Sequence, residues 1–259
     1  MAIKPNSDRL AVMIDADNAQ ATLVQELMSE VSRYGTATIK RAYGDWTTPN
    51  LAQWKGVLHS NAIQPVQQFR YTTGKNATDS ALIIDAMDVL HSGVVDGFCL
   101  VSSDSDFTRL ATRIREAGLA VYGFGERHTP EPFVAACDKF VYTEILRQKP
   151  EESKLKPSAN TPETKAMPEE VKPEAVAGVP KLKPMVLKAL EVVARDDGWA
   201  TLSSLGSQLG RTHPSFDSRN YGVAKLGDLM RKQNYLETKD VPAGENSQHV
   251  NLYVRRKPA

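Results

Sequence analysis

The sequence is poor in cysteine, has no long hydrophobic run and carries almost no net charge. Its two cysteines, Cys99 and Cys137, lie in apolar surroundings without a metal-binding spacing, so we expect two buried thiols and neither a disulfide nor a zinc site. No apolar run approaches the roughly 18 residues of a membrane-spanning helix, and the first residues lack the apolar core of a signal peptide. We therefore expect a cytoplasmic protein that does not contact a membrane.

The net charge of +1 conceals parts of opposite sign. Residues 1–146 contain 13 Lys and Arg against 17 Asp and Glu, residues 147–180 contain 6 against 6, and residues 181–259 contain 13 against 8. The acidic balance of residues 1–146 favours metal-dependent chemistry there. The basic balance of residues 181–259 favours contact with an anionic polymer.

One segment places carboxylates directly after a buried strand. Residues 98–101 form an unbroken apolar run, typical of a strand buried on both faces of a parallel sheet. Five polar residues follow, among them Asp104 and Asp106, and the next residues place apolar side chains on one helical face. Ligands bind at the carboxyl ends of strands in open α/β sheets, and crowded carboxylates need a positive charge nearby. Ser105 or Asp106 alone would fit an N-cap, but the whole cluster indicates a divalent metal ion.

Further carboxylates occupy comparable positions. Asp15 and Asp17 follow another apolar strand, and Asp79 lies in the first turn of a predicted helix. Hard carboxylate oxygens suit Mg²⁺ or Mn²⁺, which activate water and stabilise the leaving oxygen in phosphoryl displacement. Asp17 also fits a residue that points away and holds the turn. Asp85 and Asp88, inside the same helix as Asp79, are expected to be solvated surface charges, although Asp85 also fits a place behind the site.

The order of predicted elements divides the chain into two domains. Strands alternate with helices before residue 147, which predicts a parallel three-layer α/β/α sheet. The composition then shifts to Pro, Glu, Lys and Ala, typical of a flexible linker. Three helices, the second predicted over residues 199–209, and a terminal hairpin of residues 235–239 and 250–254 indicate a small winged-helix domain. We predict domains at 1–146 and 181–259, joined by a linker at 147–180.

Three motifs of the first part resemble those of the NYN domain, a PIN-like nuclease fold. They are residues 12–18 (VMIDADN), 73–85 (TGKNATDSALIID) and 100–107 (LVSSDSDF). The resemblance implies a metal-dependent ribonuclease in which Mg²⁺ or Mn²⁺ is held by four catalytic carboxylates, those of Asp15, Asp79, Asp104 and Asp106. It also implies that Asn18 and Ser102 support the site from its edge. Lys75, in the loop of the second motif, is predicted to meet an RNA phosphate.

The last part is similar to the LOTUS domain, also called OST-HTH. The similarity rests on residues 199–209 (WATLSSLGSQL), 214–222 (PSFDSRNYG) and 225–229 (KLGDL). It implies binding of RNA, single-stranded or structured, or contact with a protein partner. The RNA contacts are predicted at Arg211, Arg219 and Lys225. Further basic residues of this part are Arg231, Lys232, Arg255, Arg256 and Lys257. The last three form a terminal Arg-Arg-Lys, which also fits a solubilising end and ranks below Lys225 and Arg219.

Two other functions fit parts of the sequence. A phosphatase of the haloacid-dehalogenase type also places Asp-x-Asp after its first strand, with Asp15 as the covalent nucleophile and Asp17 as the acid–base, but it gives Asp79 no role. A non-catalytic RNA-binding or recruitment protein would keep the acidic pocket as a vestige. The complete set of carboxylates favours a ribonuclease over both.

Overall fold

Six parallel strands form a single sheet in the first half of the chain. The computed structural model describes residues 8–69, 77–147, 180–195, 197–242 and 250–258. Lys75 and residues 148–179, which make up most of the predicted linker, lie outside the described residues. The strands are β1 (Arg9–Asp15), β2 (Thr36–Gly44), β3 (Gln64–Gln67), β4 (Gly97–Val101), β5 (Ala120–Gly125) and β6 (Lys139–Tyr142). The helices are α1 (Val24–Val31), α2 (Trp54–Ser60), α3 (Ala77–Ser92), α4 (Thr108–Glu116), α5 (Glu131–Ala136) and α6 (Thr143–Leu146).

The strand order creates a crevice at the middle of the sheet. The order is β3-β2-β1-β4-β5-β6, and every neighbouring pair is parallel. The chain winds outward in one direction from β1 and in the other from β4, so the connections leave these two adjacent strands on opposite sides. Such a switch point is where open α/β sheets bind ligands. The predicted carboxylates after β1 and β4 therefore meet at this crevice.

Both faces of the sheet are covered by helices, which confirms the predicted three layers. Because successive side chains of a strand point to opposite faces, Phe98 and Leu100 of β4 pack with α3, α4 and α5, whereas Cys99 and Val101 pack with α1, α2 and α6. All five residues of β4 are buried. The continuous apolar run read from the sequence is thus the central strand of a two-sided core.

Two local features concern the edge strand and the helix that carries Asp79. Strand β3, which contains Pro65, lies at the edge of the sheet, where a residue without an N–H donor is tolerated. Helix α3 already includes Ala77, so Thr78 lies in its first turn.

The second half of the chain forms helices and a small antiparallel sheet. Its elements are α7 (Leu182–Val193), β7 (Ala200–Thr201), α8 (Leu202–Thr212), α9 (Leu226–Arg231), β8 (Leu236–Pro242) and β9 (Val250–Arg256). The sheet has the order β7-β9-β8. The segment predicted as one helix, residues 199–209, divides because Thr201 caps α8: its hydroxyl accepts a hydrogen bond from the Ser204 N–H at 3.1 Å. The residues before this cap are extended and pair with β9.

The two halves contact each other, whereas the sequence predicted only a flexible tether between them. The edge strand β6 donates its Phe140 N–H to the carbonyl of Pro214 at 3.0 Å, and the Lys139 ammonium donates to the carbonyl of Phe216. An open sheet edge exposes unpaired backbone groups, and the 213–216 segment covers this one. None of the helices that the structure describes is long and apolar enough to cross a bilayer.

Candidate metal centre

Three carboxylates from two parts of the chain converge at the switch point of the sheet. Asp79 projects from the first turn of α3, and Asp104 and Asp106 follow β4. One oxygen from each lies within 4.8 Å of the other two. Asp79 and Asp106 are separated by 27 positions in the sequence, so the parallel sheet and the packing of α3 on it produce this cluster.

The turn after β4 holds its carboxylates through local hydrogen bonds. The Asp104 carboxylate accepts a hydrogen bond from the Asp106 N–H at 3.0 Å and so caps the short 3₁₀ turn of Ser105–Phe107. The Ser102 hydroxyl accepts from the Asp104 N–H at 3.1 Å. Gly125, at the end of β5, permits the close approach of this turn, because a Cβ there would lie 2.6 Å from the Ser102 carbonyl oxygen.

Asp15 ends β1 and lies fully buried beside the cluster. One of its oxygens accepts hydrogen bonds from the Asn18 side-chain amide at 2.7 Å and from the Ser102 hydroxyl at 2.8 Å. The other oxygen has no hydrogen-bond donor among the described residues. Burial raises the pKa of Asp15, and the donors from Asn18 and Ser102 only partly oppose this rise. A buried carboxylate with one unpartnered oxygen is suited to a cation.

Repulsion from the neighbouring carboxylates contributes to a raised pKa of Asp79. Burial, together with the charges of Asp15, Asp104, Asp106 and Asp17, raises the pKa of this carboxyl group to about 6. The four neighbours therefore act on one carboxyl group, although Asp15 lies outside the trio whose oxygens meet within 4.8 Å.

The donor set fits a hard divalent cation. Every charged group of the cluster is a carboxylate, and carboxylate oxygens bind Mg²⁺, Mn²⁺ or Ca²⁺ and are poor ligands for soft metals. The unpartnered oxygen of Asp15 and the raised pKa of Asp79 are both relieved by a positive charge. The predicted metal-binding residues therefore fit this cofactor class.

Other predicted residues around the centre have defined places. Asn18 and Ser102, for which the resemblance implied a supporting role, both donate hydrogen bonds to Asp15. Asp17 accepts a hydrogen bond from the Thr78 hydroxyl at 3.2 Å, which links the turn after β1 to α3.

Asp85 is not the solvated surface charge that the sequence predicted first, with a place behind the site as the alternative; its side chain is partly buried against the sheet. Its carboxylate forms an ion pair with Arg41 and accepts a hydrogen bond from the Tyr43 hydroxyl. Both partners belong to β2, so Asp85 fastens α3 to the sheet. The signal in the sequence was an Arg and a Tyr two positions apart on one face of a strand.

The predicted RNA-binding residues do not form one surface element. Arg211 lies exposed in the last turn of α8, and Lys225 lies exposed just before α9. Arg219 contacts carboxylates of both halves, with bonds of 2.8–3.0 Å to Asp217 and of 2.9 Å to both oxygens of Glu30. Four of its five N–H donors are thus engaged, which favours a role in holding the two halves together over the predicted contact with RNA.

Comparison with known proteins agrees with both sequence resemblances. The family model of the NYN domain matches residues 9–146, and that of the OST-HTH/LOTUS domain matches residues 179–248, in the predicted order. A search of curated proteins found no match.

Several solved structures are similar to parts of the chain. A protein of unknown function from Vibrio parahaemolyticus is 20% identical, with a TM-score of 0.46 over 54% of this chain and 95% of that one. An uncharacterized protein from Nitrosomonas europaea is 32% identical, with a TM-score of 0.27 over 43% of this chain and 94% of that one. A protein from Chromobacterium violaceum is 37% identical, with a TM-score of 0.24 over 29% of this chain and 79% of that one.

Proposed function

Because this chain belongs to the NYN domain family, whose model matches residues 9–146, we propose that it is a ribonuclease dependent on Mg²⁺ or Mn²⁺. Residues 1–146 form the nuclease domain in this proposal, and residues 181–259 form an RNA-binding domain joined to it by residues 147–180. The convergence of Asp79, Asp104 and Asp106 beside the buried Asp15 is the observation that carries the proposal.

The side chains of the centre either bind the metal ion or orient a residue that binds it in the proposed reaction. Asp79, Asp104 and Asp106 would hold the metal ion through their adjacent oxygens, and Asp15 would add its unpartnered oxygen from the buried side. The bound ion would supply an activated water and neutralise charge that develops on the phosphate oxygens. Asn18 and Ser102 fix the second oxygen of Asp15, so that its free oxygen keeps one direction.

Cleavage of labelled RNA tests the proposal. We expect the purified chain to cut RNA with Mg²⁺ or Mn²⁺ and to be inactive with EDTA, while the Asp104→Asn variant loses at least about 100-fold in rate. Asparagine retains an oxygen that can cap the Ser105–Phe107 turn, so the loss would report the missing charge. Asp88→Asn is the matched control, because Asp88 is exposed on α3. Full activity of pure Asp104→Asn protein, or activity in EDTA, would contradict the proposal.

The same preparation separates this proposal from a phosphatase with Asp15 as nucleophile. That reaction requires the carboxylate to reach the phosphorus atom, whereas Asp15 is fully buried and bound by two donors. We expect no phosphoryl group to be trapped on Asp15 with a phosphate monoester substrate. A stable acyl phosphate at this residue would favour the phosphatase instead.

A further inference from the structure

The outer face of the terminal sheet carries a group of stacked cations and aromatic rings. In the register of the strands, Lys239 of β8 lies opposite Tyr253 of β9, and Glu237 lies opposite Arg255. These residues point away from Leu236, Leu252 and Val254, which are buried in the core of the domain. Trp199, directly before β7, joins them on the outer face. We call this group, together with Arg195, the wing face.

Cations cover both rings of the wing face. The Lys239 ammonium lies 4.1 Å from the centroid of the Trp199 ring and 5.6 Å from that of Tyr253. The guanidinium of Arg255 lies 4.5 Å from the Trp199 centroid, and that of Arg195 lies 5.7 Å from the Tyr253 centroid. These distances are within the range of cation–π attraction. Trp199 is only 8% exposed, and Lys239 and Arg255 both lie over its ring.

Carboxylates neutralise only part of the positive charge of the wing face. Arg255 forms an ion pair with Glu237 at 2.7 Å, and the Asp197 carboxylate accepts a hydrogen bond from the backbone N–H of Trp199 at 3.0 Å. Neither Lys239 nor Arg195 has an ion-pair partner among the residues that the structure describes. Both are exposed, and the exposed Lys257 adds a further basic residue just past the end of β9.

Packing alone does not require this composition. Apolar side chains would cover a tryptophan without the cost of bringing like charges together. Cations stacked on rings hold their N–H donors in defined directions, and a guanidinium plane can bind a phosphate or stack on a base. A half-buried tyrosine within such a group offers a further surface for stacking. Proteins that bind single-stranded nucleic acids without sequence preference combine such cations with aromatic rings on which the bases stack.

We propose that the wing face binds single-stranded RNA, with Arg195 and Lys239 on phosphates and Tyr253 against a base. The inference rests on the proposed function, which requires an RNA ligand. It assigns RNA binding to a surface that does not include Arg219. It also differs from the predicted contacts at Arg211, in the last turn of α8, and Lys225, just before α9.

Binding of a labelled single-stranded homopolymer RNA to the full chain, in EDTA to prevent cleavage, tests the proposal. We expect the double variant Arg195→Ala and Lys239→Ala to lower the slope of log affinity against log salt by about 1.4, since each phosphate contact to a single strand contributes about 0.7. Tyr253→Leu should weaken binding about tenfold and leave the salt slope unchanged, because a stacking contact carries no charge.

A control of equal charge separates local contact from net charge. The double variant Lys181→Ala and Lys188→Ala removes two exposed cations outside the wing face, at the start of α7 and within it, and should keep the salt slope within error. Thermal melting of every variant shows whether it is folded. Equal losses in the two double variants would overturn the proposal, because net charge alone would then explain binding.

Other outcomes distinguish this inference from the function on which it rests. RNA cleavage together with unchanged RNA binding by the wing variants would overturn the inference and leave the ribonuclease intact. Wing-dependent binding by a chain that cuts nothing would support the inference and remove the ribonuclease. Polyglutamate that competes as strongly as RNA would overturn the inference, because the wing face would then be a surface for acidic polypeptides. A wild-type chain that binds no RNA would overturn both the inference and the proposed ribonuclease.

Discussion

Asp79 is a single residue whose ionisation reports the charge of the whole centre. Its folded-state pKa is about 6, against an ordinary value of 3.8, because burial and four neighbouring carboxylates disfavour its charged form. In the metal-free protein the folded state therefore binds the proton more tightly than the unfolded state. Ionised Asp79 therefore lowers the free energy of unfolding above pH 6. This loss disappears as the pH falls below 3.8, the pKa of the carboxyl group in the unfolded state.

We predict that Asp79→Asn stabilises the metal-free protein at pH 7 and has almost no effect at pH 4. The gain should be about 1 kcal/mol, since solvent screening of this partly exposed group reduces the full linkage energy. Urea unfolding in EDTA at both pH values measures it. Asp88→Asn should show no such difference. A gain of equal size at both pH values would mean that Asp79 does not sense the other carboxylates.

Ser102 is a second residue with a sharply defined task. Its hydroxyl donates to Asp15 and accepts from the Asp104 N–H, so it joins the two strand ends of the centre. We predict that Ser102→Ala lowers Mn²⁺ affinity about 10–100-fold, as loss of a residue that orients a metal ligand usually does. It should also cost about 1–3 kcal/mol of stability, because the buried Asp15 carboxylate loses a donor.

Ser103 provides the comparison for this variant. Its hydroxyl accepts from the Glu126 N–H at 2.8 Å and contacts no carboxylate of the centre in the hydrogen bonds that the structure describes. Calorimetric titration with Mn²⁺ and urea unfolding should find Ser103→Ala close to wild type in metal affinity. Equal metal affinity of the Ser102→Ala and Ser103→Ala proteins would remove Ser102 from the support of the site.

At the scale of elements, the position of α3 determines whether Asp79 reaches the centre. The first turn of α3 carries Asp79, and two turns later Asp85 binds Arg41 and Tyr43 of β2. The sheet thus fixes the helix by polar contacts in addition to the apolar packing of Leu82, Ala86 and Val89.

We predict that Asp85→Ala destabilises the chain by about 1–3 kcal/mol, because the Tyr43 hydroxyl and the Arg41 guanidinium lose their shared acceptor. Cleavage should fall as well, since α3 would hold Asp79 less firmly. Asp88→Ala, an exposed change on the same helix, should leave stability within about 0.5 kcal/mol of wild type. Urea unfolding and RNA cleavage test both variants, and indistinguishable results would show that apolar packing alone positions α3.

At the scale of the whole molecule, Arg219 and Glu30 join the two halves of the chain. Glu30 is 5% exposed, and it also binds Arg33 and the Tyr34 hydroxyl. Burial by itself would raise the pKa of Glu30, but hydrogen bonds and charge from Arg219 and Arg33 outweigh it and lower the pKa. The interface therefore contains a charged network that needs both domains to be complete.

We predict that Arg219→Ala separates the domains and costs about 1–3 kcal/mol, because Glu30 then keeps its charge with fewer donors. Small-angle scattering should show a larger radius of gyration, and the cooperative melting transition should divide in two. Arg219→Lys should behave in the same direction, since an ammonium cannot form the paired bonds of a guanidinium. Arg211→Ala is the control. Unchanged scattering from the Arg219→Ala protein would show that the backbone contacts at β6 suffice.

The sequence by itself determined the layers and most elements, although the helix predicted over residues 199–209 divides into β7 and α8. Apolar runs such as residues 98–101, followed by acidic turns and amphipathic helices, are local patterns typical of a parallel α/β sheet, and the family motifs lie inside them. The carboxylates Asp15, Asp104 and Asp106 could be chosen for the same reason, because the ends of strands β1 and β4 are where such a sheet opens.

Only the tertiary structure decided which partners the charged residues have. Asp85 and Arg219 looked like exposed charges because their partners, Arg41 and Glu30, lie 44 and 189 positions away along the chain. The cation–ring contacts of the wing face likewise depend on strand register, which sets Lys239 opposite Tyr253. Periodicity tells which face of an element is buried, but contacts between distant segments follow from packing, and a charge has no local pattern that names its partner.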